Sequence, residues 1–143
     1  MDGGVKIEVI WFDDDVVELR VHGSNGRFAG TTELYASPDV FSEVANSLRG
    51  FPSSIRDHRQ IELGTFDPSC GGGGVRLTLR CVDAAAHAVI EMSVRTDPRY
   101  HYGQTETAEL VIPVEAAAID EFVVALQRME VTVGVMARLR QAT

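Results

Sequence analysis

Four histidines, two cysteines and a run of three aspartates are the residues of this chain whose types and spacing could do chemistry. His22, His58, His87 and His101 form no HxH or HExxH pair, and the chain has no GxSxG or GxGxxG, so no local metal or catalytic motif is read. Asp57 and His58 are neighbours in sequence, which does not place their side chains for a dyad. A site assembled from distant loops stays open, because triads are defined in three dimensions. Asp13-Asp14-Asp15 offers carboxylates to a divalent cation, but three adjacent carboxylates in a tight turn cannot all converge on one ion. The run reads instead as a solvated hairpin turn. Cys70, ahead of Gly71 to Gly74, would need a nearby base or a helix N-terminus to be an activated thiol. Cys81 is spaced like a core residue, and the glycine run reads as a mobile connection between strands. No catalytic residue, metal ligand or cofactor is expected. Arg99, Tyr100, His101 and Tyr102 are candidates of another kind, since Tyr and Arg are common interface anchors. They read as the tip of a recognition loop.

The charge is uneven. The chain has 143 residues, 13 Lys and Arg against 21 Asp and Glu, and a net charge of −8. Residues 1–43 hold nine acids and three bases, 44–105 six and seven, and 106–143 six and three. An acidic chain with no basic run lacks the electrostatic footprint for nucleic acid, whereas an acidic first third could steer a basic protein. The one lysine, Lys6, leaves no P-loop lysine. No apolar run is long enough to span a membrane. Two cysteines give neither a zinc pattern nor a disulfide framework. The start Met1-Asp2-Gly3-Gly4 lacks the basic and apolar regions of a signal peptide. The expectation is a cytoplasmic protein with reduced thiols.

The elements that must position these residues follow from periodicity. Val5, Ile7, Val9 and Trp11 alternate with polar residues, as do Val17, Leu19 and Val21 after the aspartates. With the aspartates as the loop, Trp11 faces Val17, Val9 faces Leu19 and Ile7 faces Val21, so one face is apolar. Asn25-Gly26 favours a tight turn, after which Phe28, Gly30, Thr32, Leu34 and Ala36 continue the inner face. Ser37, Pro38 and Asp39 open a helix over 38–49 that Gly50 ends. Ile61 and Leu63 mark a short strand. Val75 to Cys81 and Ala88 to Val94 form a hairpin pairing Cys81 with Ala88 and Leu79 with Ile90. Ala108, Leu110 and Ile112 form a last strand. A helix over 114–129 buries Ile119, Phe122, Val123 and Leu126. Its stripe could continue through Met129, Val133 and Met136, making 130–143 a helical extension and a surface for homodimerisation, although Val131-Thr132-Val133 and Gly134 oppose helix. The order βββ-α-ββββ-α predicts one α+β domain over 1–143: a curved, mainly antiparallel sheet of about seven strands with two helices on one face. A chain of this length can bury roughly 70% of its unfolded surface around one core.

Trp11-Phe12-Asp13-Asp14-Asp15-Val16-Val17-Glu18-Leu19 followed by Gly26-Arg27-Phe28-Ala29-Gly30 resembles the opening of the WapI-type immunity proteins. The likeness runs on through Asp39 to Leu48, Gly74-Val75-Arg76-Leu77-Thr78-Leu79, Ala86-His87-Ala88-Val89, and Thr107-Ala108-Glu109-Leu110 into Phe122 and Leu126. It covers roughly residues 7–127. The family usually has an aromatic where Val16 stands, and the tail after Met129 has no counterpart. The resemblance implies a non-enzymatic bacterial protein that binds and neutralises a toxin domain. It supplies no catalytic residue. Asp13, Asp14, Asp15, Arg99, Tyr100, His101 and Tyr102 are the expected contact residues for a basic toxin. The alternative is a small-molecule-binding or enzymatic domain with a pocket between sheet and helices, using His58, His101 and Cys70.

Overall fold

The structure, a computed structural model, describes residues 3–85 and 87–143. Met1 and Asp2, and Ala86 of the Ala86-His87-Ala88-Val89 stretch, lie outside the described residues. The chain runs β1 (Gly4–Phe12), β2 (Val17–Ser24), β3 (Ala29–Ala36), α1 (Val40–Leu48), β4 (His58–Gly64), β5 (Gly74–Cys81), β6 (Ala88–Arg95), a 3-10 turn (Pro98–Tyr100), β7 (Thr107–Val114), α2 (Ala116–Arg128) and β8 (Met136–Arg140).

The α+β class, the antiparallel pairing and the two helices are as expected. The strands, however, divide into two four-stranded sheets, ordered β3-β2-β1-β8 and β4-β5-β6-β7. β3 lies against all four strands of the second sheet, while α2 packs on β8 and α1, and α1 on β4. The sheets therefore meet along β3, and the helices fill the side where they part. Leu19, Leu34, Leu77, Ile90, Ile112, Phe122 and Leu126 are among the buried residues of one apolar cluster drawn from both sheets and both helices. Burying this much apolar surface is the main stabilising term.

The paired registers match the alternation where the pleat is regular. Ile7 faces Val21, Val9 faces Leu19, Leu79 faces Ile90 and Cys81 faces Ala88. Two positions depart from it. The register shifts between Val9 and Trp11, so Trp11 lies opposite Glu18 and not Val17. This bulge turns the indole outward, where it is 46% exposed. At the next turn, Asn25 is buried and its Oδ1 accepts from the amides of Arg27 and Phe28, each at 2.9 Å. Its Nδ2 donates to the Val111 carbonyl across the molecule. The loop is thus longer than a two-residue hairpin turn, and Phe28 falls outside the strand, exposed.

The helical extension over 130–143 is corrected. α2 stops at Arg128, and Gly134, with φ of +93°, turns the chain back so that its amide donates to the Val9 carbonyl. Only glycine takes such a φ without strain. Met136-Ala137-Arg138-Leu139-Arg140 then alternates as β8, with Ala137 and Leu139 buried beside Ile7 and Val5. The 119–136 stripe is accordingly not one face. Ile119, Phe122 and Leu126 are in the core, whereas Val133 and Met136 are exposed beyond the helix. Among the described residues, no helix is long and apolar enough to cross a membrane.

Candidate functional site

Because the bulge re-aims Trp11, the outer face of the first sheet gains a row that crosses three strands: Trp11 on β1, Glu18 on β2 and Tyr35 on β3. The next row holds Glu8, Arg20 and Glu33. Arg20 approaches both acids at 3.9 Å. Beyond Trp11 the Asp turn closes the hairpin. Asp13 Oδ1 accepts from the amides of Asp15 and Val16, both at 2.8 Å, while Asp14 and Asp15 are exposed. One of the three carboxylates is thus a structural turn cap and two are free to face a partner. Asp13→Ala is expected to lower stability by about 1 kcal/mol. Asp14→Ala and Asp15→Ala should each stay within about 0.5 kcal/mol of the parent in thermal denaturation.

The other side of the row is built by two loops. Gly64 and Gly74 face each other at the ends of β4 and β5, with Arg95 of β6 in line with them. Without side chains there, the 65–73 loop folds down over the sheet and covers Arg95, which is 5% exposed. The Arg95 Nη1 donates to the carbonyls of Thr65 (2.9 Å) and Gly72 (3.4 Å). Gly73 joins the loop to β3, its amide donating to the Glu33 carbonyl at 2.9 Å. The glycine run expected to be a mobile connection is therefore pinned, with Gly72, Gly73 and Gly74 buried.

Asp97 holds the second loop to the first. Its buried carboxylate accepts from the Gly72 amide (2.8 Å), the Arg99 amide (3.0 Å) and the Arg99 guanidinium through Nη2 (2.7 Å). The hydrogen-bonded Arg99 side chain is the main reason its pKa falls to about 2, against the opposing effect of burial. Arg99 also lies 5.4 Å from the centre of the Tyr100 ring. Tyr102 takes a positive φ of 55° and stands fully in solvent.

Together these elements enclose a cleft of about 250 Å³ lined by Glu18, Glu33, Tyr35, Gly72, Asp97, Tyr100 and His101, with Thr32 at its base. Glu18 has no cation within salt-bridge distance among the described residues. It is paired with Tyr35 across β2 and β3, and its charge is the largest cause of the raised Tyr35 pKa.

Of the sequence candidates, Tyr100 and His101 line the cleft, Arg99 braces it and Tyr102 projects beside it. The Asp turn lies at the same end of the sheet. The four histidines do not converge: His22 bonds Thr31, His87 pairs with Asp83, His58 lies opposite Arg80, and only His101 reaches the cleft. Cys70 is exposed. Among the described residues no group of three His, Cys, Asp or Glu is placed to hold a metal ion. Sequence reasoning missed Trp11, Glu18, Glu33 and Tyr35 as site residues. For Glu18, Glu33 and Tyr35 the signal was their parity, opposite to that of Leu19 and Leu34. Trp11 carried no such signal, because it shares the parity of Val9 and only the bulge turns it out. Compared with protein-family models, curated proteins and solved structures, the chain matches none.

Proposed function

We propose that this protein is a non-enzymatic immunity-type binding protein that occludes a basic toxin domain in the cytoplasm of the cell that makes it. The observation that carries the reading is the clustering of acids and exposed aromatics at one end of the first sheet. Trp11, Tyr35, Tyr100 and Tyr102 supply wide, stiff contact area, and Glu18, Glu33, Asp14 and Asp15 supply negative charge around them. Aromatic anchors with a complementary charged rim are what a protein interface needs, and the acids favour a basic partner by steering its approach. The interior between sheets and helices is apolar, and His58, His101 and Cys70 lie at the surface. The alternative of a small-molecule or enzymatic pocket between sheet and helices, built on His58, His101 and Cys70, is therefore not favoured.

The test is capture of the product of the neighbouring toxin-like gene by the purified protein. A complex of micromolar affinity or tighter is expected at low salt, weakening as salt rises. Glu18→Arg combined with Tyr100→Ala is expected to weaken it by about a hundredfold, as loss of one anchor and one favourable charge would. Absence of a complex at low salt overturns the reading. A complex indifferent to the double variant overturns the site.

A further inference from the structure

The outer face of the first sheet carries a second, oppositely charged feature at its other end. Lys6 on β1 lies directly between His22 on β2 and Arg138 on β8, with Thr31 of β3 completing the row. Lys6, His22 and Arg138 line a groove of about 720 Å³ together with Asn25, Arg140 and Gln141.

Cationic side chains side by side on a sheet repel one another. In a chain with 21 acids and 13 bases, a carboxylate is easily placed between them. At the other strand cations it is, save Arg95, which is buried against backbone carbonyls. Arg20 lies near Glu8 and Glu33, Arg76 pairs with Glu62, Arg80 with Glu91 and Arg140 with Glu121. Lys6, half-buried, and Arg138, exposed, differ: neither has a carboxylate within 4.0 Å among the described residues, and the Arg138 guanidinium lies 4.0 Å from the Met136 sulfur. Glu8, the nearest acid along β1, lies in the Arg20 row. His22 is oriented by a 2.6 Å hydrogen bond between its Nδ1 and the Thr31 hydroxyl, which leaves Nε2 for another partner. Burial first, and Lys6 second, hold its pKa below the ordinary value.

We infer that this groove binds a phosphate monoester, its dianionic head seated across Lys6, His22 and Arg138 and its organic body lying toward Asn25 and Gln141. Two cations with no carboxylate beside them among the described residues match a double negative charge. The oriented imidazole adds a directed hydrogen bond, which makes the trio selective for an oxyanion over a halide. The groove is larger than a bare phosphate fills. This site is independent of the acidic cleft, which lies at the far end of the same face.

The experiment is an NMR titration of the full chain with inorganic phosphate, with phenyl phosphate, and with chloride at matched ionic strength. Saturable shifts confined to Lys6, His22, Thr31 and Arg138 are expected with both phosphates, tighter for phenyl phosphate, along with an upward move of the His22 ring titration. Lys6→Gln and Arg138→Gln should each weaken binding about fivefold to tenfold, while Arg80→Gln should leave it unchanged. Vesicles of phosphatidylcholine, with and without phosphatidic acid, locate the source of the phosphate. Co-sedimentation with the acidic vesicles alone assigns a lipid headgroup, and saturable phenyl phosphate binding without co-sedimentation assigns a soluble ligand. Both outcomes support the site. Equal shifts with chloride, or undiminished phosphate binding by the Lys6 and Arg138 variants, overturn it.

Discussion

Gly73→Ala is expected to cost about 3 kcal/mol or more, lowering the melting temperature by about 10 °C. A Cβ at this position would overlap the Thr32 hydroxyl and come within 2.6 Å of the Arg95 carbonyl and 2.9 Å of the Glu33 carbonyl. Two of these three neighbours are backbone atoms and cannot rotate away. The same residue carries the seam between the two sheets. Its amide donates to Glu33, its carbonyl accepts from Thr65, and the Thr32 hydroxyl beside it donates to the Arg95 carbonyl at 2.8 Å. Making room for the methyl group would part β3 from the 65–73 loop and expose the Arg95 guanidinium beneath. Gly71→Ala is the control. Its Cβ would meet only the end of the Arg99 side chain, so a cost of about 1 kcal/mol or less is expected in chemical denaturation. Equal costs at both positions would show that the loop is not pinned at Gly73.

Asp97→Ala is expected to cost about 2–3 kcal/mol at neutral pH, because it leaves the Gly72 amide and the Arg99 amide without their acceptor. The companion Asp97→Asn separates charge from shape. In the folded protein the Asp97 carboxyl has a pKa of about 2, against an ordinary 3.8. A folded-state pKa below the unfolded one means that the unfolded chain takes up the proton more readily. Stability from the charge is therefore complete above roughly pH 4 and disappears as the pH falls toward about 2. With the side chain only 7% exposed, the difference is about 2 kcal/mol at neutrality. Urea unfolding across this range should show wild type and Asp97→Asn separated near neutrality and converging in acid. Asp57, held at about 2 chiefly by Arg59, weakens both proteins alike in acid, so the difference between the curves reports Asp97. Curves that stay parallel down to about pH 2 would contradict the assignment.

Much of the fold was legible because alternation and register agree. Residues 5–9 and 17–21 could pair in only one way that kept Val5, Ile7, Val9, Leu19 and Val21 together, and the β5–β6 hairpin was as constrained. Both helices were found to within two residues or so of their ends, from caps and from the stripe of Ile119, Phe122 and Leu126. Met129, Val133 and Met136 continue that stripe at helical spacing, which left a helical extension open for the tail, yet α2 ends at Arg128. The alternation Met136 to Arg140, combined with Gly134, carried the competing signal, and an open edge of β1 decided it. Trp11 was misplaced for a similar reason. Its parity in sequence is that of a core residue, and a single-residue bulge reverses it.

The site was legible only in pieces. The Asp turn and the Arg99–Tyr102 loop were read as surfaces, but nothing in their spacing says that they lie at the same end of one sheet, since 83 residues lie between Asp15 and Arg99. That depends on β3 crossing the second sheet and on Asp97 reaching the Gly72 amide. The sequence by itself determined the α+β class, the strand faces, the helices and the overall negative charge, because these follow from local period and composition. The division into two sheets, the eighth strand, the outward turn of Trp11, and the segregation of acids and cations to opposite ends of one face were decided only by the tertiary structure. Each depends on which strand edges find partners across long stretches of chain, and the sheet's hydrogen-bonding groups must be paired whatever the local pattern prefers.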